Sequence, residues 1–123
     1  MHQVLVIDDE KAILDVVRMA LTRAGFGVET AADGHKGIQK FDEGRFAVVI
    51  TDMLMPGVNG HRVVQHIRNS ERSSTPIIGF SGTPWFLNSG DFDVVFTKPF
   101  PLKDLVDATQ GLSAKPLKAN ISQ

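Results

Sequence analysis

Three carboxylates, a hydroxyl and an ammonium each follow an apolar run in this chain: Asp8 and Asp9 after VLVI, Asp52 just beyond FAVVI, Ser81 after IIGF and Lys98 after VVFT. Like charges side by side repel and are costly to desolvate, so a strand end carrying Asp8 and Asp9 needs something to offset that cost. A hard divalent cation such as Mg2+ does so, because it takes oxygen ligands and keeps several waters. A carboxylate is also a competent nucleophile toward phosphorus. A cation, a lysine and a hydroxyl can then share the charge that develops on the transferring oxygens. The set holds the parts for an aspartyl phosphate.

The elements that must position these groups are legible as an alternation. The 123 residues, 42% of them hydrophobic, suffice for one well-packed domain and are too few for two ordinary ones. Gln3–Ile7 is a β-branched apolar run, and after it Ile13, Val16, Val17, Ala20, Leu21 and Ala24 recur at helical spacing until Gly25. Gly27–Ala31 reads as a weaker strand, and Asp33 as the N-cap of a short helix carrying Ile38 and Phe41 and ended by Gly44. Residues 46–50 are apolar throughout, as a parallel strand covered on both faces should be. A loop with Pro56, Gly57, Asn59 and Gly60 leads to a helix using Val63, Val64 and Ile67, and then to a strand over residues 76–80. Residues 93–97 supply a fifth strand, and Leu102, Leu105, Val106, Thr109 and Leu112 the inner stripe of a closing helix. The apolar period ends near Ser113, so the expected organisation is one domain over residues 1–113 with a tail or the start of a linker over 114–123. Five β-then-α units predict a doubly wound, five-stranded parallel sheet of the α/β class with right-handed crossovers. Such sheets bind ligands at the carboxyl ends of their strands, where Asp8, Asp9, Asp52, Ser81 and Lys98 stand.

Composition excludes other classes. With 13 basic and 14 acidic side chains and a formal charge of -1, the chain lacks the footprint of a nucleic-acid binder. The absence of cysteine removes disulfides and thiolate metal sites and fits a reducing compartment. No targeting segment or membrane-length apolar run is seen, so the expected location is cytoplasmic. His2, His35, His61 and His66 have no ligand spacing and are expected to be satisfied or solvated, while Met53 and Met55 are expected to fill space.

The chain resembles the receiver domains of two-component response regulators, the CheY-like branch of the flavodoxin-type folds, from Gln3 to about Leu112. The resemblance is carried by VLVIDDE (4–10), VVITDMLMPGVNG (48–60), FSG (80–82) and TKPF (97–100). It implies that Asp52 accepts a phosphoryl group from the phosphohistidine of a sensor histidine kinase or phosphotransfer protein, with Mg2+. Asp9 then resembles a direct metal ligand, Asp8 an acidic partner acting largely through water, and the backbone carbonyl of Leu54 a further ligand beside Asp52. Ser81 is similar to the hydroxyl that moves to meet the phosphoryl oxygen, Lys98 to the ammonium that pairs with it, and Lys98-Pro99 to a bond usually cis in this family. The protein so implied is a signalling receiver whose chemistry is confined to its own aspartate.

Each residue taken alone has an ordinary reading: Asp8 as an N-cap of the first helix, Asp52 as a strand-end polar group, Ser81-Gly82 as a turn, Lys98 as a solvated lysine. Two departures from the family pattern also stand out. The interval from Ser81 to Lys98, 17 positions, is more than one helical turn short, so the fourth helix must be stunted or replaced by irregular chain in GTPWFLNSGDFD. The position three before Lys98, often a switch aromatic, is Val95, and strand alternation points the adjacent Phe96 to the opposite face. Trp85, Phe86 and Leu87 either form a docking surface for a downstream protein on the face of residues 85–100, or cover core left open by the shortened helix. The second reading is favoured because exposed strand surface must be buried by something.

The leading expectation is a phosphorylation-dependent receiver that changes its affinity for a protein partner. An adaptor acting through constitutive contacts is the alternative. A metal-dependent phosphatase ranks last, since it would want an acidic residue where Leu54 stands. Apolar Leu54, with Thr83 two beyond Ser81, also predicts slow self-dephosphorylation.

Overall fold

The computed structural model describes residues 2–82 and 91–114. Strands β1 (Gln3–Ile7), β2 (Gly27–Ala31), β3 (Val48–Asp52), β4 (Ile77–Ser81) and β5 (Val94–Thr97) form one parallel sheet in the order β2-β1-β3-β4-β5. Helices α1 (Lys11–Arg23), α2 (Gly34–Glu43), α3 (Gly60–Arg68) and α4 (Leu102–Ala114) cover it. This is the doubly wound α/β sheet that the sequence predicts.

Strand alternation divides the core in two. Val4, Val6, Val48, Ile50, Ile78 and Phe80 pack with Leu14, Val17 and Leu21 of α1 and Leu105 and Leu112 of α4. Leu5, Ile7, Val49 and Ile77 pack on the other face with Phe41 of α2 and Val63, Val64 and Ile67 of α3. Each fully buried side chain of this kind contributes roughly 1.5–3 kcal/mol. That burial, rather than helix propensity, holds helices as short as α2 and α3. Their starts are fixed by side-chain caps: Asp33 Oδ1 accepts from the Lys36 N–H at 2.8 Å and Asn59 Oδ1 from the Arg62 N–H at 3.1 Å.

Several expectations require correction. β3 begins two residues later than expected and ends on Asp52, because its ladder to β1 starts at the Val4–Val48 pair. β4 and β5 likewise start one residue late, at Ile77 and Val94. On α1 the buried stripe is Leu14, Val17 and Leu21, whereas Val16 is 46% exposed. Leu102, the first residue of α4, is also exposed. Asp8 does not cap α1. Glu10 is the N-cap residue, and Asp8 Oδ1 instead accepts from the Glu10 N–H at 2.8 Å, a local turn over two residues.

The expected shortened fourth helix, with Trp85, Phe86 and Leu87, lies outside the described residues, as do residues 115–123 of the expected tail; α4 itself runs through Ala114. Two described residues organise the approach to β5. The Arg68 guanidinium donates to the carbonyls of Asp91 (2.6 Å), Ser73 (2.6 Å) and Thr75 (2.7 Å) and to Asp93 Oδ2 (3.1 Å). Phe92 lies over Gly79 of β4, so close that a Cβ there would meet its ring carbons at 2.6 Å.

Candidate functional site

Parallel pairing brings the strand ends level: Ile7 pairs with Thr51, Asp52 with Phe80 and Ser81 with Thr97. β1 and β3 are neighbours although β2 separates them in sequence, so Asp8 and Asp52 stand at the topological switch point. The start of α3 closes in behind Asp52. Gly60 packs against the Asp52 carbonyl where any Cβ would collide, which explains a glycine at the first position of that helix.

Asp8 is fully buried and Asp52 nearly so. Asp52 Oδ1 lies 3.4 Å from the Leu54 N–H, and Asp52 Oδ2 lies 3.4 Å from Lys98 Nζ. The same ammonium is 3.5 Å from Asp8 Oδ2 and 3.4 Å from Glu10 Oε1, and it lies 5.0 Å from the centre of the Phe80 ring. Ser81 is buried on the last residue of β4, and its carbonyl accepts from the Lys98 N–H at 2.8 Å. Lys98 is therefore not the solvated lysine of its ordinary reading. The Lys98-Pro99 bond is cis.

Burial pushes the Asp8 carboxyl up to about 6; the Glu10 N–H and the Lys98 charge oppose this, and Asp52 and Glu10 add repulsion. Burial also raises Asp52, against the pull of Lys98 and the Leu54 N–H, with Asp9 adding repulsion. For Lys98 burial works against the charge, yet the carboxylates of Asp8, Asp52 and Glu10 outweigh it and hold the ammonium above the usual lysine range.

The sequence-derived residues are not all brought to one point. Among the described residues, Asp8, Glu10 and Asp52 offer carboxylate oxygens within 4.8 Å of one another. Asp9 stands outside this group: it is exposed and lines a neighbouring cleft with Asp33, His35 and Pro56. Glu10 was absent from the sequence-derived set, although it stands in VLVIDDE; an exposed residue at a helix start carries no pattern that marks it. The Leu54 side chain is 60% exposed at the mouth of the site. His66 is satisfied by Asp42 Oδ1 at 2.7 Å, and Met53 and Met55 are buried.

Fit to Mg2+ is decided by the donor set. Asp8 Oδ2 is buried and accepts no hydrogen bond, and the surrounding donors are all hard oxygens. Lys98 Nζ stands 3.5 Å from that oxygen, too far for a close charge-assisted bond, so a cation seated nearer would offset the cost of its burial. Beside the site, a groove of about 570 Å3 lined by Ala12, Ile13, Val16, Val17, Pro99 and Phe100 runs up to Lys98. Val95 is 44% exposed, while Phe96 packs on Phe100 with ring centres 5.3 Å apart, on the α1/α4 face.

A sequence profile of the response regulator receiver domain matches residues 4–110. The transcriptional regulatory protein TrcR of Mycobacterium tuberculosis is 34% identical over 115 residues, 89% of this chain but 44% of that protein. YrkP of Bacillus subtilis, described as an uncharacterized transcriptional regulatory protein, is 35% identical over 111 residues, 85% of this chain and 46% of its own length, so the chain spans less than half of either relative. Among solved structures, the chemotaxis protein CheY4 of Vibrio cholerae is similar with a TM-score of 0.83 at 32% identity, covering 91% of this chain and 98% of that one. The response regulator TrrA of Thermotoga maritima, solved in complex with Mg(2+)-BeF, is similar with a TM-score of 0.83 at 28% identity, covering 91% and 99%. Among the described residues no helix is long and apolar enough to cross a membrane.

Proposed function

The chain belongs to the response regulator receiver family, and on that footing we propose that it takes a phosphoryl group on Asp52 from a histidine-phosphorylated donor and thereby changes its affinity for a protein partner. The observation that carries this reading is the Asp52 carboxylate, buried at the switch point with Lys98 Nζ 3.4 Å from its outer oxygen. The Asp52 oxygen attacks phosphorus, a P–O bond forms as the P–N bond of the phosphohistidine breaks, and the imidazole leaves. Asp8 and Asp52, with Asp9 and the Leu54 carbonyl at the rim, are the groups that would hold Mg2+. Bound there, Mg2+ would neutralise charge on the transferring oxygens. Lys98, with Nζ 3.4 Å from Asp52 Oδ2, supplies a second positive charge, and Ser81, on the adjacent strand end, a hydroxyl for the phosphoryl oxygen.

The donor protein is assigned to the groove along α1, because Lys98 belongs to both that groove and the site. A cytoplasmic location follows from the family reading, since such a donor and its partner meet in one compartment. The partner face over residues 85–100 remains part of the proposal through Val95 to Phe100. The exposed Val95, in place of an aromatic, favours a second reading in which the chain is an adaptor whose contacts do not depend on phosphorylation.

The two are separated by adding beryllium fluoride and Mg2+, a phosphoryl mimic, and following backbone amides by NMR. Shifts at Ser81, Lys98 and Val95 that vanish in Asp52→Asn support the receiver. No shift beyond the residues flanking Asp52 supports the adaptor.

A further inference from the structure

Lys98 Nζ stands 3.4 Å from Asp52 Oδ2, 3.4 Å from Glu10 Oε1 and 3.5 Å from Asp8 Oδ2. Charge-assisted N–H···O bonds close to about 2.7–2.9 Å when they can. The ammonium is thus suspended among three carboxylates and settled on none of them. Two of the three, Asp8 and Asp52, are buried, where attraction to a cation is strongest. Left to that pair alone, the ammonium would move inward and close Asp52. The group on the other side is Glu10, whose side chain is 60% exposed.

Among the described residues, no other side-chain contact explains the placement of that carboxylate. Glu10 is the N-cap residue of α1, but its side chain makes no capping bond; its backbone carbonyl alone receives the Ile13 and Leu14 N–H groups. The side-chain contact the structure gives it is with Lys98. We propose that Glu10 is a positioning residue that holds the Lys98 ammonium off Asp52 and so keeps that carboxylate open. Only the purpose of the opening rests on the receiver reading; the position of the ammonium does not. The same device bears on Mg2+, because a cation entering between Asp8 and Asp52 must displace Lys98 from the oxygens it faces.

An exposed ion pair of no consequence would also place these atoms near one another, so the test reads Lys98 and not the pair. Mg2+ dissociation constants are measured by titration calorimetry for the native chain, Glu10→Gln, Lys98→Met and the double variant. Glu10→Gln is expected to weaken Mg2+ at least about fivefold more when Lys98 is present than when it is absent. Equal losses would mean that Glu10 acts through its charge alone, and a larger loss without Lys98 would make it a cation ligand; either overturns the proposal. The metal-free crystal structure of Glu10→Gln decides the matter independently. Lys98 Nζ within about 3.0 Å of Asp52 Oδ2 is the expected result, and an unchanged 3.4 Å separation overturns it. No phosphoryl transfer enters that second measurement, so a native chain that accepts no phosphoryl group would sink the proposed function and leave Glu10 to be judged on the variant's structure.

Discussion

Asp8 Oδ2 faces Lys98 Nζ at 3.5 Å, yet it is buried and accepts no hydrogen bond. A carboxylate so placed favours its protonated form, and burial lifts Asp8 from an ordinary 3.8 to about 6, with Asp52 raised beside it. For an acid raised on folding, the native state binds the proton more tightly than the unfolded chain. Its contribution to stability is full below about pH 3.8 and lost as pH rises through about 6. Metal-free native protein should therefore lose stability over this window relative to Asp8→Asn, measured by urea denaturation at several pH values. Parallel pH profiles for the two proteins would contradict the account.

Val16 opens the apolar groove that ends at Lys98. A lysine at this exposed position costs the fold little, but it places a charge where the donor protein is expected to pack. Val16→Lys should slow phosphoryl transfer from a histidine-phosphorylated donor roughly tenfold, equivalent to about 1.4 kcal/mol. The rate with a small phosphodonor should stay within about twofold. Equal slowing with both donors would remove the groove from the account.

The Phe92 ring occupies the space a side chain on Gly79 would need. Gly79→Ala should cost about 1–3 kcal/mol by overpacking. In a Phe92→Ala background the same change should cost less than about 0.5 kcal/mol, because the obstructing ring is gone. Denaturation midpoints of the four proteins measure the coupling, and an identical cost in both backgrounds would show that Phe92 does not set the choice of glycine.

Leu54 lies at the mouth of the site with an apolar side chain that cannot orient water by hydrogen bonding. Phosphorylated protein should lose its label slowly, and Leu54→Asn should lose it roughly tenfold faster, because an amide that only orients water supplies less than the roughly hundredfold or greater gain of a positioned general acid or base. Loss from the native chain as fast as from Leu54→Asn would contradict this.

The site was legible in sequence to the extent that strand ends are. Asp8, Asp52, Ser81 and Lys98 each close a run of apolar residues long enough to mark a strand, and parallel pairing brings those ends together. Strand starts were less legible: the apolar run of 46–50 begins before the ladder does, and only pairing with β1 fixes Val48 as the first rung. On α1, Val16 and Leu14 both fit a helical period, and the face that packs on the sheet decides which is buried. Arg68 and Phe92 escaped because their partners are mostly carbonyls, one distant carboxylate and a glycine, which leave no periodic trace. Glu10 escaped because its role depends on an ammonium 88 positions away.

The central claim is that Asp52 is a metal-dependent phosphoacceptor. Its most direct test is the mass of the intact protein after incubation with a small phosphodonor and Mg2+, alongside Asp52→Asn and a chelated control. The account predicts one added phosphoryl group on the native chain, none on Asp52→Asn and none without metal. An unmodified native chain, or equal modification of Asp52→Asn, would contradict it.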